Sequence, residues 1–192
     1  MLEIVLIRPG CTDYDLQGRI QGNLDVPLNE QGRAEMARVL EEVRGLGIEV
    51  VYAAAGEPAI EAGQLVAEAV GAKLKKLDRV HNLNMGLWQG ILIEDVRLKQ
   101  PKVYRQWQEH PEHVCPPEGE MLFDAAERVD SAMTRLVKRH KEGVIAVVAQ
   151  EPLATLVRRF FGHGEIGDLW KALEEHGRWE HVTASPTPVP SG

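Results

Sequence analysis

A chain of 192 residues, 44% hydrophobic and 27% charged, has the size and composition of one globular domain with a substantial core. Its net charge of -7 supplies no basic face for nucleic acid or an anionic membrane, and no apolar run reaches the length of a bilayer span. Residues 1 to 30 lack a signal-peptide pattern, and the two cysteines, Cys11 and Cys115, show neither CxxC nor metal-ligand spacing. These features lead us to expect a cytoplasmic protein with free thiols and no metal or cofactor.

The opening stretch from Leu2 to Ile7 is apolar and β-branched apart from Glu3, and it stops at Arg8-Pro9-Gly10. That pattern predicts a strand buried on both faces in a mostly parallel sheet, with ligand chemistry at its carboxyl end. Asn29 is a helix N-cap, and Met36, Val39, Leu40, Val43 and Leu46 then recur at helical spacing. Ile48 to Ala54 reads as the second strand. A helix follows Gly56-Glu57-Pro58 with Leu65, Val66, Ala69 and Val70 as its inner face, and Lys73 to Leu77 reads as a short third strand.

Residues 78 to 120 hold Trp88, Trp107, four prolines and three of the seven histidines, which is too long a stretch for a simple loop. We expect a helical insertion over the sheet's carboxyl edge, with short helices at Ile93 to Gln100 and Lys102 to Glu109. Two readings stand for it: a lid, or an excursion whose aromatic residues simply pack onto the body. Beyond it come a long helix over Glu120 to His140, a strand over Val144 to Ala149, a helix over Pro152 to Phe161, another over Leu169 to Glu175, and an edge strand at Arg178 to Thr183. The chain reads as a single α/β domain over 1–184, a three-layer sandwich, with a disordered Pro-rich tail at 185–192.

The signature after the first strand carries a resemblance. Arg8-Pro9-Gly10-Cys11-Thr12, then Asp15, then Gly18-Arg19-Ile20-Gln21-Gly22-Asn23-Leu24-Asp25-Val26-Pro27-Leu28-Asn29 resembles the amino-terminal motif of the histidine phosphatase superfamily, the phosphoglycerate-mutase-like group. Met85-Gly86-Leu87-Trp88-Gln89-Gly90 and Val147-Val148-Ala149-Gln150 resemble two later motifs of the same group. The resemblance implies a nucleophilic histidine after strand one, an arginine after strand two, an acid after strand three and a second histidine after the late strand. This sequence has Pro9, Pro58, Asn82 and Gln150 at those places, with Glu151 adding a negative charge beside Gln150.

Proline has no lone pair for phosphoryl transfer, an amide delivers no proton at neutral pH, and glutamine cannot be cationic. Four losses at one site point to a catalytically silent member. Its remnant pocket comprises Arg8, Gly10, Cys11, Thr12, Asp15, Gln21, Gly22, Asn82 and Gln150, with a carboxylate or polyol favoured over a phosphate because Arg8 alone remains. The rival readings are a weak phosphatase or mutase using Arg8, His81 and Cys11, and a structural protein that self-associates, for example as a homodimer. Cys11 lacks the Arg-bearing loop of a cysteine phosphatase, and His81 is either a displaced acid or base or an exposed loop histidine. Arg158 and Arg159 read as a solvated face or as salt-bridge partners rather than a phosphate clamp. His110-x-x-His113 lacks a third ligand of defined spacing. The expected partner is a small molecule or a protein, not a nucleic acid or a membrane.

Overall fold

The computed structural model describes residues 1–183, so the expected tail at 185–192 lies outside the described residues. Five strands, β1 (Leu2–Arg8), β2 (Ile48–Ala55), β3 (Lys73–His81), β4 (Gly143–Val148) and β5 (Arg178–Thr183), form one sheet in the order β3-β2-β4-β1-β5. The first four run parallel, and β5 joins the β1 edge antiparallel with Leu6 opposite Glu180. Eight helices accompany them among the described residues: α1 (Asp13–Gln17), α2 (Glu30–Val43), α3 (Ala59–Val70), α4 (Ile93–Lys99), α5 (Pro101–Glu109), α6 (Leu122–Arg139), α7 (Leu153–Phe160) and α8 (Leu169–Ala172).

β1 is buried on both faces, as its apolar run requires. Ile4 and Leu6 point into a large core shared with Val129, Met133 and Val157, whereas Val5 and Ile7 point into a second core with Met36, Val39 and Val66. The alternation of side chains along a strand makes one segment serve both layers, and each fully buried aliphatic contributes about 1.5–3 kcal/mol. α2 and α3 cover one face, and α6, α7 and the residues of the insertion cover the other.

The inner face of α3 is not the one its large residues suggest. Ala59, Ala62, Gly63, Val66 and Ala67 are buried, while Leu65, Ala69 and Val70 are only partly so. Small residues win because the helix lies close on β2: a Cβ on Gly63 would stand 2.9 Å from the Cβ of Ala53. β3 also runs on to His81, with a register irregularity against β2 between Ala53 and Ala55, so the insertion begins at Asn82 rather than at 78.

That insertion contains α4, α5 and two single 3₁₀ turns. Trp88, Trp107, Trp170 and Tyr104 pack together, with the Tyr104 and Trp170 rings stacked 5.0 Å apart and nearly parallel, at 6°. The aromatic residues therefore pin the insertion to the body, and its helices still contribute Leu92, Ile93, Glu94, Arg97 and Tyr104 to a cavity wall. Among the described residues no helix is long and apolar enough to cross a membrane.

Candidate functional site

The carboxyl ends of β1 and β4 open onto a cavity of about 580 Å³. Its floor comes from the strand ends: Pro9 and Gly10 after β1, Pro58 after β2, Asn82 after β3, and Gln150 and Glu151 after β4. One side is made by the loop from Asp15 to Gly22, and the other by Leu173 to His176 ahead of β5.

Local sequence builds the first side. Thr12 caps α1, its Oγ1 accepting from Asp15 N (3.3 Å) while Asp15 Oδ2 accepts from Thr12 N (2.7 Å), a capping box written with Asp in place of Glu. Gly10 and Gly32 allow the start of α2 to press against the strand-end loop, since a Cβ on Gly10 would overlap Gly32 O and one on Gly32 would overlap Cys11 O. Gln21 Nε2 donates to Leu24 O (3.1 Å) and Glu57 O (3.2 Å), tying the loop to the turn after β2.

Arg8 lies beneath the floor, only 3% exposed. Its Nε donates to Glu151 Oε1 at 2.7 Å, its Nη1 donates to Glu180 Oε1 at 2.8 Å, and Glu175 Oε2 stands 3.7 Å from Nε. Burial works against the guanidinium charge, but Glu151 and Glu180 outweigh it and hold the pKa above its ordinary value. The second oxygen of Glu151 accepts from Thr155 N at 3.1 Å, so this carboxylate caps α7 and neutralises Arg8 at once.

Asn82 ties three segments together, Nδ2 donating to Gly22 O (2.9 Å) and Glu151 O (3.1 Å). Its Oδ1 is buried and has no hydrogen-bond partner. No hydrogen bond is formed by the side chain of half-buried Gln150 among the described residues.

The cavity thus gathers Gly10, Asp15, Gln21, Gly22, Asn82 and Gln150 from the expected pocket, together with the displaced positions Pro9 and Pro58. It does not gather Arg8, Cys11 or Thr12. Arg8 is paired beneath the floor, Thr12 is buried as a helix cap, and Cys11 is fully buried. Burial pushes the Cys11 thiol up, with Asp15 and Glu35 adding to the shift against a hydrogen bond from Asn29. His81 is not in the wall either, and its Nδ1 lies 2.8 Å from Asn82 O. The expectation of a free Arg8 is corrected here: three carboxylates occupy its reach.

Sequence reasoning placed Leu173 to Glu175 in a helix and gave them no site role; α8 instead ends at Ala172, and Leu173 to His176 run on as cavity wall. His176 Nδ1 meets Glu35 Oε2 at 2.7 Å, and that oxygen also accepts from Cys11 N at 2.9 Å. Glu35 is thereby driven well into its ionised form: burial opposes this, but bonds from Gln31, His176 and Cys11 N lower its pKa. Elsewhere, Glu112 Oε1 lies 3.5 Å from His110 Nδ1 and 4.0 Å from His113 Nε2, an exposed third donor that the spacing argument did not count. Of the two readings of Arg158, the structure shows the salt-bridge partner: it is half-buried and its Nε lies 3.2 Å from Glu180 Oε2.

Residues 4–185 match the model of the histidine phosphatase superfamily, branch 1. The chain is 30% identical over 149 residues to phosphoserine phosphatase 1 of Hydrogenobacter thermophilus, covering 78% of this chain and 71% of that one. It is 32% identical over 149 residues to phosphoglycerate mutase-like protein 4 of Arabidopsis thaliana, covering 76% and 65% respectively. Among solved structures, YhfR of Bacillus stearothermophilus superposes with a TM-score of 0.82 at 21% identity over 94% of this chain and 90% of that one. The vanadate-bound mycobacterial glucosyl-3-phosphoglycerate phosphatase gives 0.81 at 21% identity over 93% and 90%.

Proposed function

Because the chain belongs to the histidine phosphatase superfamily, we propose that it is a member without phosphatase or mutase activity whose strand-end cavity binds a small ligand. The observation that carries this is Arg8, the one cation kept at the strand ends, buried against Glu151 and Glu180. Pro9 beside it offers no nucleophile, and Asn82 and Gln150 offer no acid and no cation. Uncatalysed phosphate-monoester hydrolysis demands accelerations of up to about 10²¹, and a positioned general acid alone supplies roughly 10² to 10⁴. With nucleophile, acid and anion partners all replaced, that demand goes unmet.

The weak-enzyme alternative relied on Arg8, His81 and Cys11, of which only Cys11 and His81 could serve as nucleophile, acid or base. A fully buried thiol with a raised pKa and a histidine outside the cavity wall argue against both. The two unpaired cysteines suit a reducing, cytoplasmic setting, which we include in the proposal.

Phosphate release from a panel of phosphomonoesters tests the reading, with phosphoserine and 3-phosphoglycerate included because of the relatives' names. Purified protein, heat-inactivated protein and Arg8→Met, the last confirmed as folded by its melting curve, are assayed side by side across pH. The expected result is the same background in all three. Saturable turnover that disappears in Arg8→Met would overturn the reading.

A further inference from the structure

Charge around the cavity is unevenly answered. Among the cations, Arg8 is held by Glu151 and Glu180, Arg97 Nε donates to Glu94 Oε2 at 2.8 Å, and Arg19 donates to Gln17 Oε1 at 2.8 Å and Gly90 O at 2.6 Å. Among the acids, Glu174 and Glu175 stand in the wall and, among the described residues, no cation comes nearer than the 3.7 Å separating Glu175 from Arg8, whose stronger partners lie elsewhere. Asp15 also lines the cavity, and only its Oδ2 is used by the capping box. Arg8 and Arg97 are thus paired with carboxylates and Arg19 is engaged only by neutral oxygens, so the three acids Asp15, Glu174 and Glu175 outnumber the one uncompensated guanidinium and the wall favours a cation over an anion.

Two further groups define what would fit. Asn82 is only 5% exposed, its amide nitrogen is committed to two carbonyls, and its Oδ1 is a buried acceptor with no donor facing it. A buried acceptor left unpaired is costly, and a ligand N–H would relieve it. Tyr104 stands in the wall with one ring face on Trp170, 5.0 Å away, and an aromatic ring in a wall attracts cations. The volume of about 580 Å³ suits a small organic molecule.

We propose that the cavity binds a small organic amine in its protonated form, its N–H donating to Asn82 Oδ1, its charge answered by Asp15 and Glu175, and its carbon chain packed on Tyr104. This rests on the ligand-binding reading and narrows it: the carboxylate expected from a free Arg8 is excluded, and a neutral polyol becomes the weaker ligand.

The test is titration of the full-length protein at low salt with 1,4-diaminobutane, with its uncharged analogue 1,4-butanediol, and with inorganic phosphate, followed by nuclear magnetic resonance of the Asn82 side-chain amide. The diamine is expected to move that signal and to bind at least about tenfold more tightly than the diol, a difference of about 1.4 kcal/mol. Glu175→Gln is expected to weaken diamine binding by about threefold, the effect of one partly exposed charge, and added salt to weaken it further. Tyr104→Leu, checked for folding by its melting curve, is a second variant that weakens it. Phosphate is expected to leave the signal unmoved. Equal affinities for diamine and diol, no binding of the diamine, or diamine binding indifferent to both variants would each overturn the amine inference while leaving the non-catalytic reading intact. Phosphate that displaces the diamine and is also released from phosphomonoesters would overturn both.

Discussion

Two turns in this protein share a Glu-Pro pair and a hydrogen-bond pattern, yet sit in different electrostatic surroundings. After β2 comes Gly56-Glu57-Pro58, and after β4 comes Gln150-Glu151-Pro152, each leading into a helix with the proline at the N-cap position. Ile60 N donates to Gly56 O and Ala154 N to Gln150 O, both at 3.1 Å. Glu57 Oε2 accepts from Glu61 N and Glu151 Oε2 from Thr155 N, again both at 3.1 Å. Only Glu151 lies next to β1, where its other oxygen receives Arg8. The local sequence makes the turn and the cap; the neighbouring strand decides whether the carboxylate is also a counter-ion.

The largest expected effect follows from that difference. Glu151→Ala leaves a buried guanidinium with Glu180 and a more distant Glu175, and is expected to cost about 3 kcal/mol in urea unfolding, the usual scale for removing one partner of a buried pair. Retention of wild-type stability would mean that Glu180 alone suffices. Next in size is the coupling within the pair. Arg8→Met with Glu151→Leu removes both charges and fills the space, so the double variant is expected to be more stable than either single one, with a coupling of about 1–3 kcal/mol. Strict additivity in the unfolding midpoints would show that the two residues do not act as a unit.

A third carboxylate, Glu35, separates burial from pairing. Its neighbours hold its pKa below the ordinary value despite burial, so the stability it contributes is complete above the unfolded value of about 4.3 and is lost as pH falls through the lower folded value. Glu35→Gln is therefore expected to flatten the acid side of the stability curve below about pH 4.3, measured by unfolding at stepped pH. A curve parallel to wild type would assign the acid sensitivity to other groups.

Much of this architecture can be read from the residues. The run from Leu2 to Ile7 marks a central strand, and Pro9 marks a strand end with no nucleophile. α1 was hidden because a five-residue helix held by Thr12 and Asp15 has no apolar period to display. The inner face of α3 was misjudged because alanine and glycine carry little hydrophobic signal, although close approach to a strand favours them. The fate of Arg8 was beyond local pattern altogether. Its partners Glu151 and Glu180 lie 143 and 172 positions along the chain, and a side chain that reads as an available cation becomes a satisfied one only when β4 and β5 flank β1. Asn82 shows the same limit in reverse: its identity ruled out an acid, but only the fold reveals that one of its polar atoms is spent and the other is buried without a partner among the described residues.

The smallest effect is expected at the first turn, where it closes the comparison. Glu57→Ala removes the same backbone cap from α3 that Glu151 supplies to α7, but no ion pair to Glu57 exists among the described residues, and it is only half-buried. Water can solvate the freed Glu61 N–H, so the loss is expected to be that of a helix cap, about 0.5–1 kcal/mol in urea unfolding. Subtracting this value from the Glu151→Ala loss leaves what the buried cation and the buried Thr155 N–H add together, because only the cap geometry is common to both turns. If Glu57→Ala costs as much as Glu151→Ala, the cap rather than Arg8 stabilises both turns, and the neutralised guanidinium loses its standing as an argument for the proposed amine preference.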